Sequence, residues 1–370
     1  MSKFPSYETF KTSRTKPHLE IEKHVPDLSC SYLINYNILP KKTKDVYIYD
    51  IVGQKFADFY LNNGKLFLGY TDKYITRMIK NFLKHTINSY SKGIFTYRLI
   101  SLVMKITRNR FKYVSVARND IEVFERVVNF FKPSDVIVNS EYLKSLINNT
   151  YTHSHSRKLF FIEPHDEVFN IDYTFLFYLH RVNLLAKSEL KHFKCKFCSV
   201  LPMNNFFNQK VLDRSYLFKN TVILSLSRMG FRFKYFSLLK GMKLDALIIG
   251  ISNGYTILLH NYEKLRFFDI SEFESMVCYY HILRERGLIS RKESELKRNV
   301  TKTFAKFHKL GVIKKLSPYG ILVKHGKFSN ENLIREGIFT VGDTIYFSFS
   351  HGINDFLRLK KKLGSLFFNE

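Results

Sequence analysis

Two short motifs carry side chains that could bind a metal or take part in redox chemistry. One is a Cys195-x-x-Cys198 pair, and the other is formed by His153 and His155, which are separated by one residue. A zinc or redox site built on such a pair needs a second cysteine pair or a strand-to-helix setting, and the two remaining cysteines stand singly. We therefore interpret the cysteines as structural and the histidines, which lie in a Ser/Thr/Asn-rich stretch, as part of an exposed loop. No metal site is expected.

The centre of the chain contains a second, more specific pattern. Two apolar runs, 222–226 and 247–250, are predicted as buried strands, and a Gly-Phe-Arg turn at 230–232 follows the first. This layout resembles the centre of a class III aminotransferase, the glutamate-1-semialdehyde aminomutase type of fold-type-I pyridoxal phosphate (PLP) enzyme. In that family the first strand ends D-E-x-x-T-G-F-R and the second runs D-x-x-x-x-G-K. Asp245 and Gly250 match the second motif.

The two residues that carry the chemistry of that family differ in this chain. The resemblance places Ser225 at the position of the family's aspartate and Ile251 at the position of its lysine. The lysine holds the cofactor aldehyde as an imine, and the aspartate keeps the pyridine nitrogen protonated. Serine has no charge to hold that proton, and isoleucine cannot form an imine. Lys240 and Lys243 precede the second strand and would lie at its opposite end.

The N-terminal part of the chain also resembles this family. Strands are predicted at 46–50 and 55–59 around a turn, and an amphipathic helix is predicted at 73–84. The hairpin matches the family pattern Y-I-x-D-x-x-G-x-x-x-x-D-F. A G-x-x-x-L-G-H turn follows in the family, and here Tyr70 takes the place of its histidine.

The resemblance also implies positions for cofactor contacts. Asn119 and Asp120 stand in place of the S-G-T-E-A segment whose backbone N–H groups hold the cofactor phosphate at a helix N-terminus. A carboxylate there would repel phosphate, so we favour a helix cap over a phosphate contact. Tyr142 retains the aromatic residue that would stack on the pyridine ring, although a tyrosine in the core is the alternative.

Two further motifs are less well preserved. Ser271 lies in the family's T-x-S-G-N-P segment, whose threonine contacts phosphate across a dimer interface, and Asp269 occupies the threonine position. The segment 199–203 is interpreted as the family's V-x-E-P-V strand end, with Leu201 in place of the glutamate. The family is dimeric, so the resemblance implies a homodimer.

The net charge of +27 over 370 residues permits an alternative, a basic protein that binds nucleic acid. The compact basic runs, 41–44 and 360–362, are short, and lysines are spread over the whole chain. With 45% hydrophobic residues the chain is typical of a globular protein. No apolar run is long enough for a membrane span and no secretory signal is recognisable, so we expect a cytoplasmic protein without a membrane partner.

Together these patterns predict an α/β protein of the fold-type-I PLP-transferase kind, with a mostly parallel central sheet flanked by helices. The expected organisation is an N-terminal segment 1–44, a large domain 45–285 and a small α+β C-terminal domain 286–370, whose last helix ends at Gly364. The favoured function is an aminotransferase-like protein without catalytic activity. The alternatives are an active PLP-dependent aminotransferase or aminomutase and a nucleic-acid-binding protein.

Overall fold

The structure is a computed structural model that describes residues 38, 40–84, 93–108, 110–138, 140–146, 158–169, 221–234, 236, 244–324 and 330–368. Several sequence predictions fall on residues outside these ranges. They concern His153, His155, the segment 195–203, Lys240 and Lys243.

The described residues form thirteen strands and seven helices, apart from short helical turns. The strands are β1 (Pro40–Lys44), β2 (Tyr47–Asp50), β3 (Lys55–Asp58), β4 (Tyr113–Ala117), β5 (Asp135–Val138), β6 (Lys158–Ile162), β7 (Thr221–Leu226), β8 (Ala246–Gly250), β9 (Thr256–His260), β10 (Ile313–Ser317), β11 (Gly320–Val323), β12 (Ile338–Phe339) and β13 (Thr344–Tyr346). The helices are α1 (Lys73–Lys84), α2 (Ile94–Ile106), α3 (Asp120–Phe131), α4 (Glu141–Leu146), α5 (Glu272–Lys309), α6 (Asn330–Arg335) and α7 (Ile353–Phe368).

The chain divides into two compact units. Unit 1 consists of Met1–Lys73 with Arg291–Glu370, and unit 2 consists of Tyr74–Ser290. The structure thus groups the N-terminal hairpin with the C-terminal segment, whereas the sequence analysis placed 45–73 with the large domain. Strand pairing gives the physical reason, because β12 pairs in parallel with β3.

Unit 2 is built on a six-stranded sheet in the order β4-β9-β8-β7-β6-β5. The pairs β5–β6, β6–β7 and β7–β8 are parallel, and β9 joins β8 and β4 by antiparallel pairing. Every residue of β7 and β8 is buried, as expected for parallel strands covered on both faces. The expected α/β fold with a largely parallel central sheet is therefore confirmed.

Helix α3 covers the β5 to β9 region of this sheet with an apolar face. Val123, Phe124 and Val127 pack in one cluster with Phe161 of β6 and Ile248 of β8. The rings of Phe124 and Phe161 lie 4.6 Å apart. This packing places the N-terminus of α3 at the sheet, where the resemblance had placed a phosphate contact.

Unit 1 contains two smaller sheets, β1-β2-β3-β12 and β10-β11-β13. Its last helix, α7, does not end at Gly364 but continues to Phe368. The prediction of a stop at Gly364 was wrong because Leu359 and Leu363, which precede it, are fully buried and hold the helix against the core. Helix α5 runs without a break from Glu272 to Lys309.

Two absences apply to the described residues. None of their helices is long and apolar enough to cross a membrane. No group of three or more His, Cys, Asp or Glu side chains among them could hold a metal ion.

Candidate functional site

A buried ion pair lies beyond the carboxyl ends of β6 and β7. Glu163 follows β6 and Arg228 follows β7, and the guanidinium makes two contacts with the carboxylate, Nε–Oε1 at 3.3 Å and Nη2–Oε2 at 2.8 Å. Burial would raise the pKa of Glu163, but Arg228, His165 and hydrogen bonds to the carboxylate together lower it below the ordinary value. Glu163 is therefore an ionised carboxylate in the interior.

His165 lies beside this pair and is held in the neutral form. Its Nε2 is 3.8 Å from Glu163 Oε1, and its side chain has no exposed surface. Burial lowers the pKa of His165 to about 3, and the positive charges of Arg228 and Arg232 act in the same direction, whereas Glu163 opposes them. The ring packs near Phe169, with a centroid distance of 5.4 Å.

Asp120 is the first residue of α3 and is buried. Its carboxylate accepts hydrogen bonds from the Tyr142 hydroxyl and the Thr256 hydroxyl. The interpretation of this segment as a helix cap is correct for Asn119, whose Oδ1 accepts from the Glu122 amide at 2.9 Å. Asp120 itself is not the cap but a buried acceptor that joins α3 to α4 and β9.

The ring of Tyr142 connects the Asp120 group with the Glu163–Arg228 pair. The Arg228 guanidinium lies over this ring, 4.8 Å from its centroid. Burial and then the Asp120 carboxylate raise the pKa of Tyr142 well above the ordinary value. Tyr142 is thus a protonated hydrogen-bond donor with one ring face covered by a cation.

Ser225 lies in β7, Ile251 follows the neighbouring strand β8, and both residues are buried. The Ser225 hydroxyl donates to the Ser227 hydroxyl at 3.1 Å, and Ile251 directly follows β8 with 1% of its surface exposed. The backbone of β8 approaches the loop after β7 so closely that a Cβ atom on Gly250 would lie 1.8 Å from the Ser227 carbonyl oxygen. The Gly-Phe-Arg turn packs at the same point, because Gly230 has a φ of +57° and a Cβ there would lie 2.6 Å from the Gly250 oxygen.

Two further buried ionisable side chains lie at this turn, Arg232 at its end and Glu285 of α5. Arg232 donates from Nε to the Met229 carbonyl at 2.9 Å, and its guanidinium lies 4.2 Å from the centroid of the Phe169 ring. Glu285 of α5 accepts from the backbone amides at 231–232 and from Ser252. Burial raises the pKa of Glu285 to about 7, and Arg232 and these hydrogen bonds limit the increase.

Ser271 belongs to a different group of contacts. It precedes α5, its backbone amide donates to Glu274 Oε2 at 2.7 Å, and the Glu274 amide donates to its hydroxyl at 3.2 Å. This reciprocal arrangement is a capping box. Asp269 forms a salt bridge with Arg126 at 2.7 Å. In the described residues both side chains therefore have structural contacts of their own.

The residues at these positions lack the groups that PLP bound as an imine requires. The N-terminus of α3, where the family holds a phosphate, already carries the buried Asp120 carboxylate, and two like charges in a buried site repel strongly. Ser225 is uncharged, and Ile251 supplies no amine. Every lysine of unit 2 whose side chain the structure describes is exposed: Lys80, Lys84, Lys105, Lys112, Lys132, Lys144, Lys234 and Lys264. The described residues therefore do not fit PLP bound as an internal imine.

The Glu163–Arg228 pair and its neighbours were not predicted from the sequence. The signal was the Glu163-Pro164 step directly after the apolar run of β6. It matches the glutamate-proline strand end that we assigned to 199–203, a segment outside the described residues. Because β6 pairs in parallel with β7, this step lies beside the loop that carries Arg228.

The architecture of the chain is that of the fold-type-I PLP-dependent aminotransferases. It is similar to the ornithine aminotransferase of Plasmodium yoelii, with a TM-score of 0.59 and 12% identity over 96% of this chain and 99% of that one. The ornithine aminotransferase of Toxoplasma gondii gives a TM-score of 0.63 and 11% identity over 100% and 98%. An omega transaminase from Pseudomonas jessenii gives 0.60 and 10% over 90% and 93%. At such identities the likeness establishes the fold alone.

Sequence comparisons are much less informative. No family model matches the chain. An uncharacterised protein of Borreliella burgdorferi is 35% identical over 63 residues, which cover 17% of this chain and 23% of that protein.

Proposed function

We propose that this protein is a class III aminotransferase-like protein of the glutamate-1-semialdehyde aminomutase type that has lost transamination and keeps the fold for another role. The observation that carries this proposal is the buried Asp120 carboxylate at the N-terminus of α3, held by the hydroxyls of Tyr142 and Thr256. A phosphate at this helix N-terminus would have to approach this buried carboxylate, and like charges in a buried site repel.

Ile251 and Ser225 support the proposal through the resemblance. An aliphatic side chain at the end of β8 cannot hold an aldehyde, and a neutral hydroxyl in β7 cannot keep a pyridine nitrogen protonated. The family resemblance further suggests a homodimer.

The alternative is an active PLP-dependent enzyme that uses another lysine. The purified full-length protein is incubated with PLP, its visible spectrum is recorded, and the sample is reduced with borohydride and analysed by intact mass and peptide mapping. We expect no stoichiometric adduct. One PLP per chain on a single lysine would contradict the proposal and identify the catalytic residue.

The variant Asp120→Asn distinguishes two reasons for the absence of PLP binding. Either the Asp120 carboxylate repels the cofactor phosphate, or the site has no affinity for PLP at all. This substitution keeps hydrogen-bonding capacity but removes the charge. Under this proposal, PLP causes no thermal shift in the wild type. A shift in the wild type that equals or exceeds the one in Asp120→Asn would show that the carboxylate does not exclude the phosphate.

A further inference from the structure

Helix α1 in unit 2 presents a row of cations along one face. Arg77, Lys80 and Lys84 are spaced three and four residues apart, which places them on the same side of a helix, and all three are exposed. Ile75 and Phe82 lie on the other side, and Phe82 packs against aromatic rings of α2 and α5. Within the described part of the chain, none of the three cations forms a salt bridge.

Helix α2 extends this surface with further cations and with aromatic rings. Arg98 and Lys105 are exposed, and Tyr97 has 70% of its surface exposed. The two helices are joined by the rings of Phe82 and Phe95, whose centroids are 5.8 Å apart. Neither α1 nor α2 contains an aspartate or a glutamate.

Next to these helices, Tyr280 and Arg284 of α5 pack beside Tyr74 of α1 and extend the surface. Tyr74 is 38% exposed, its ring centroid lies 6.0 Å from that of Tyr280, and the Arg284 guanidinium lies 5.6 Å from the Tyr74 centroid. We call the exposed residues of α1 and α2, together with Tyr280 and Arg284, the α1–α2 surface.

We propose that the α1–α2 surface binds single-stranded nucleic acid. Its row of cations complements a phosphate backbone, and its exposed tyrosine rings can stack on unpaired bases, the combination typical of sequence-independent single-strand binding. The proposal does not depend on whether the protein has lost transamination.

Two other occupants fit less well. A second copy of the chain would bring the same acid-free cationic helices against each other, which is unfavourable between like charges. A lipid surface would need apolar side chains that are free to insert. Phe82 of α1 packs on Phe95 and Phe273, which leaves Leu83 and Ile94 as the exposed aliphatic side chains of α1 and α2.

The test uses fluorescence anisotropy of labelled oligo(dT) of 20 nucleotides with the full-length protein over a range of salt concentrations. The variant Arg77→Gln/Lys80→Gln/Lys84→Gln removes three phosphate contacts. We expect affinity to fall about tenfold or more near 0.1 M salt, and the slope of log K against log salt to decrease by about 2. Tyr97→Ala should weaken binding by roughly 5- to 100-fold with little change in the salt slope, whereas Tyr97→Phe should bind as the wild type.

The matched control is Lys297→Gln/Arg298→Gln/Lys302→Gln, which removes the same charge from an exposed face of α5 in unit 1. It should leave binding within about twofold of the wild type, and thermal melts should show that all variants are folded. Equal weakening by both triple variants, or none by the α1 variant, would overturn the proposal. So would binding to vesicles containing phosphatidylserine without binding to the oligonucleotide. A change from dimer to monomer in the α1 variant, with oligonucleotide affinity unchanged, would assign the surface to a second copy instead.

Discussion

Glu163 and Arg228 face each other with an Oε2–Nη2 distance of 2.8 Å, and their side chains are 0% and 5% exposed. The pair links the ends of two parallel strands that are about 60 residues apart in the chain. Removing one partner of a buried ion pair leaves an uncompensated charge, whereas replacing both is often nearly neutral.

Glu163→Gln should therefore destabilise the protein by about 3–5 kcal/mol, measured by urea denaturation at pH 7. The double variant Glu163→Gln/Arg228→Met should recover most of this loss, because it leaves no buried charge of the pair. A double variant as unstable as the sum of the single ones would show that the pair is not coupled.

The pH dependence of the same pair has a definite sign. The pKa of Glu163 is lowered in the folded protein, so its contribution is present above the unfolded pKa of 4.5 and is lost as the pH falls below it. We expect the wild type, but not the double variant, to lose this increment in urea titrations as the pH is lowered below 4.5.

For Glu285 we expect the stability of the protein to change with pH in the opposite direction, and at higher pH. Its pKa is raised from 4.5 to about 7, so the folded state retains a proton that the unfolded state has released between these values. Stability should fall as the pH rises from about 4.5 to 7, by an amount of the order of 3 kcal/mol. Glu285→Gln should remove this fall and be more stable than the wild type at pH 8. Parallel stability curves for the two proteins from pH 5 to pH 8 would exclude Glu285 as the titrating group.

The close approach at Gly250 predicts a severe effect of one methyl group. Gly250→Ala would place a Cβ atom 1.8 Å from the Ser227 oxygen, and the backbone of one strand end must move, at a cost of about 3 kcal/mol or more. Gly364→Ala is the matched control, because its Cβ would meet only the Phe307 ring at 3.7 Å and the residue lies inside α7. There alanine should stabilise the protein by about 0.5–1 kcal/mol. Thermal unfolding of the two variants measures these effects. Similar melting temperatures for Gly250→Ala and Gly364→Ala would contradict the prediction.

The helix cap at Asn119 can be separated from the buried acceptor next to it. Asn119→Ala removes the bond from the Glu122 amide and should cost about 1 kcal/mol, while Asn119→Asp should retain the cap. Denaturation of the three proteins measures the difference. Equal losses for alanine and aspartate would mean that the side-chain bond does not contribute.

Much of the fold was predictable because local signals agreed with the final packing. The alternating pattern of the N-terminal hairpin, the continuous apolar runs of β7 and β8 and the amphipathic period of α1 all specify elements that the structure contains. The end of α7 was missed because burial of Leu359 and Leu363 outweighs the local preference of glycine for a helix end.

The charge network was less predictable for a physical reason. The sequence predicts a helix cap at Asp120, because acidic residues are common at helix N-termini. Its hydrogen bonds with the hydroxyls of Tyr142 and Thr256 depend on the tertiary structure. The partner of Glu163 lies some 65 residues away, so no local pattern could indicate it. The Glu-Pro step could have been found from sequence, but its pairing with Arg228 could not.

The position of β4 in the sheet has a consequence for synthesis of the chain. Within the described sheet the strand partner of β4 is β9, from Tyr113–His260 to Ala117–Thr256, and Val116 also forms a bridge with Phe268. Because about 140 residues separate Ala117 from Thr256, at ~5–20 residues per second β4 leaves the ribosome roughly 7–30 s before its partner. During that interval the strand Tyr-Val-Ser-Val-Ala exposes unpaired backbone edges to neighbouring nascent chains, so β4 is the segment of the large unit that a chaperone would have most reason to shield.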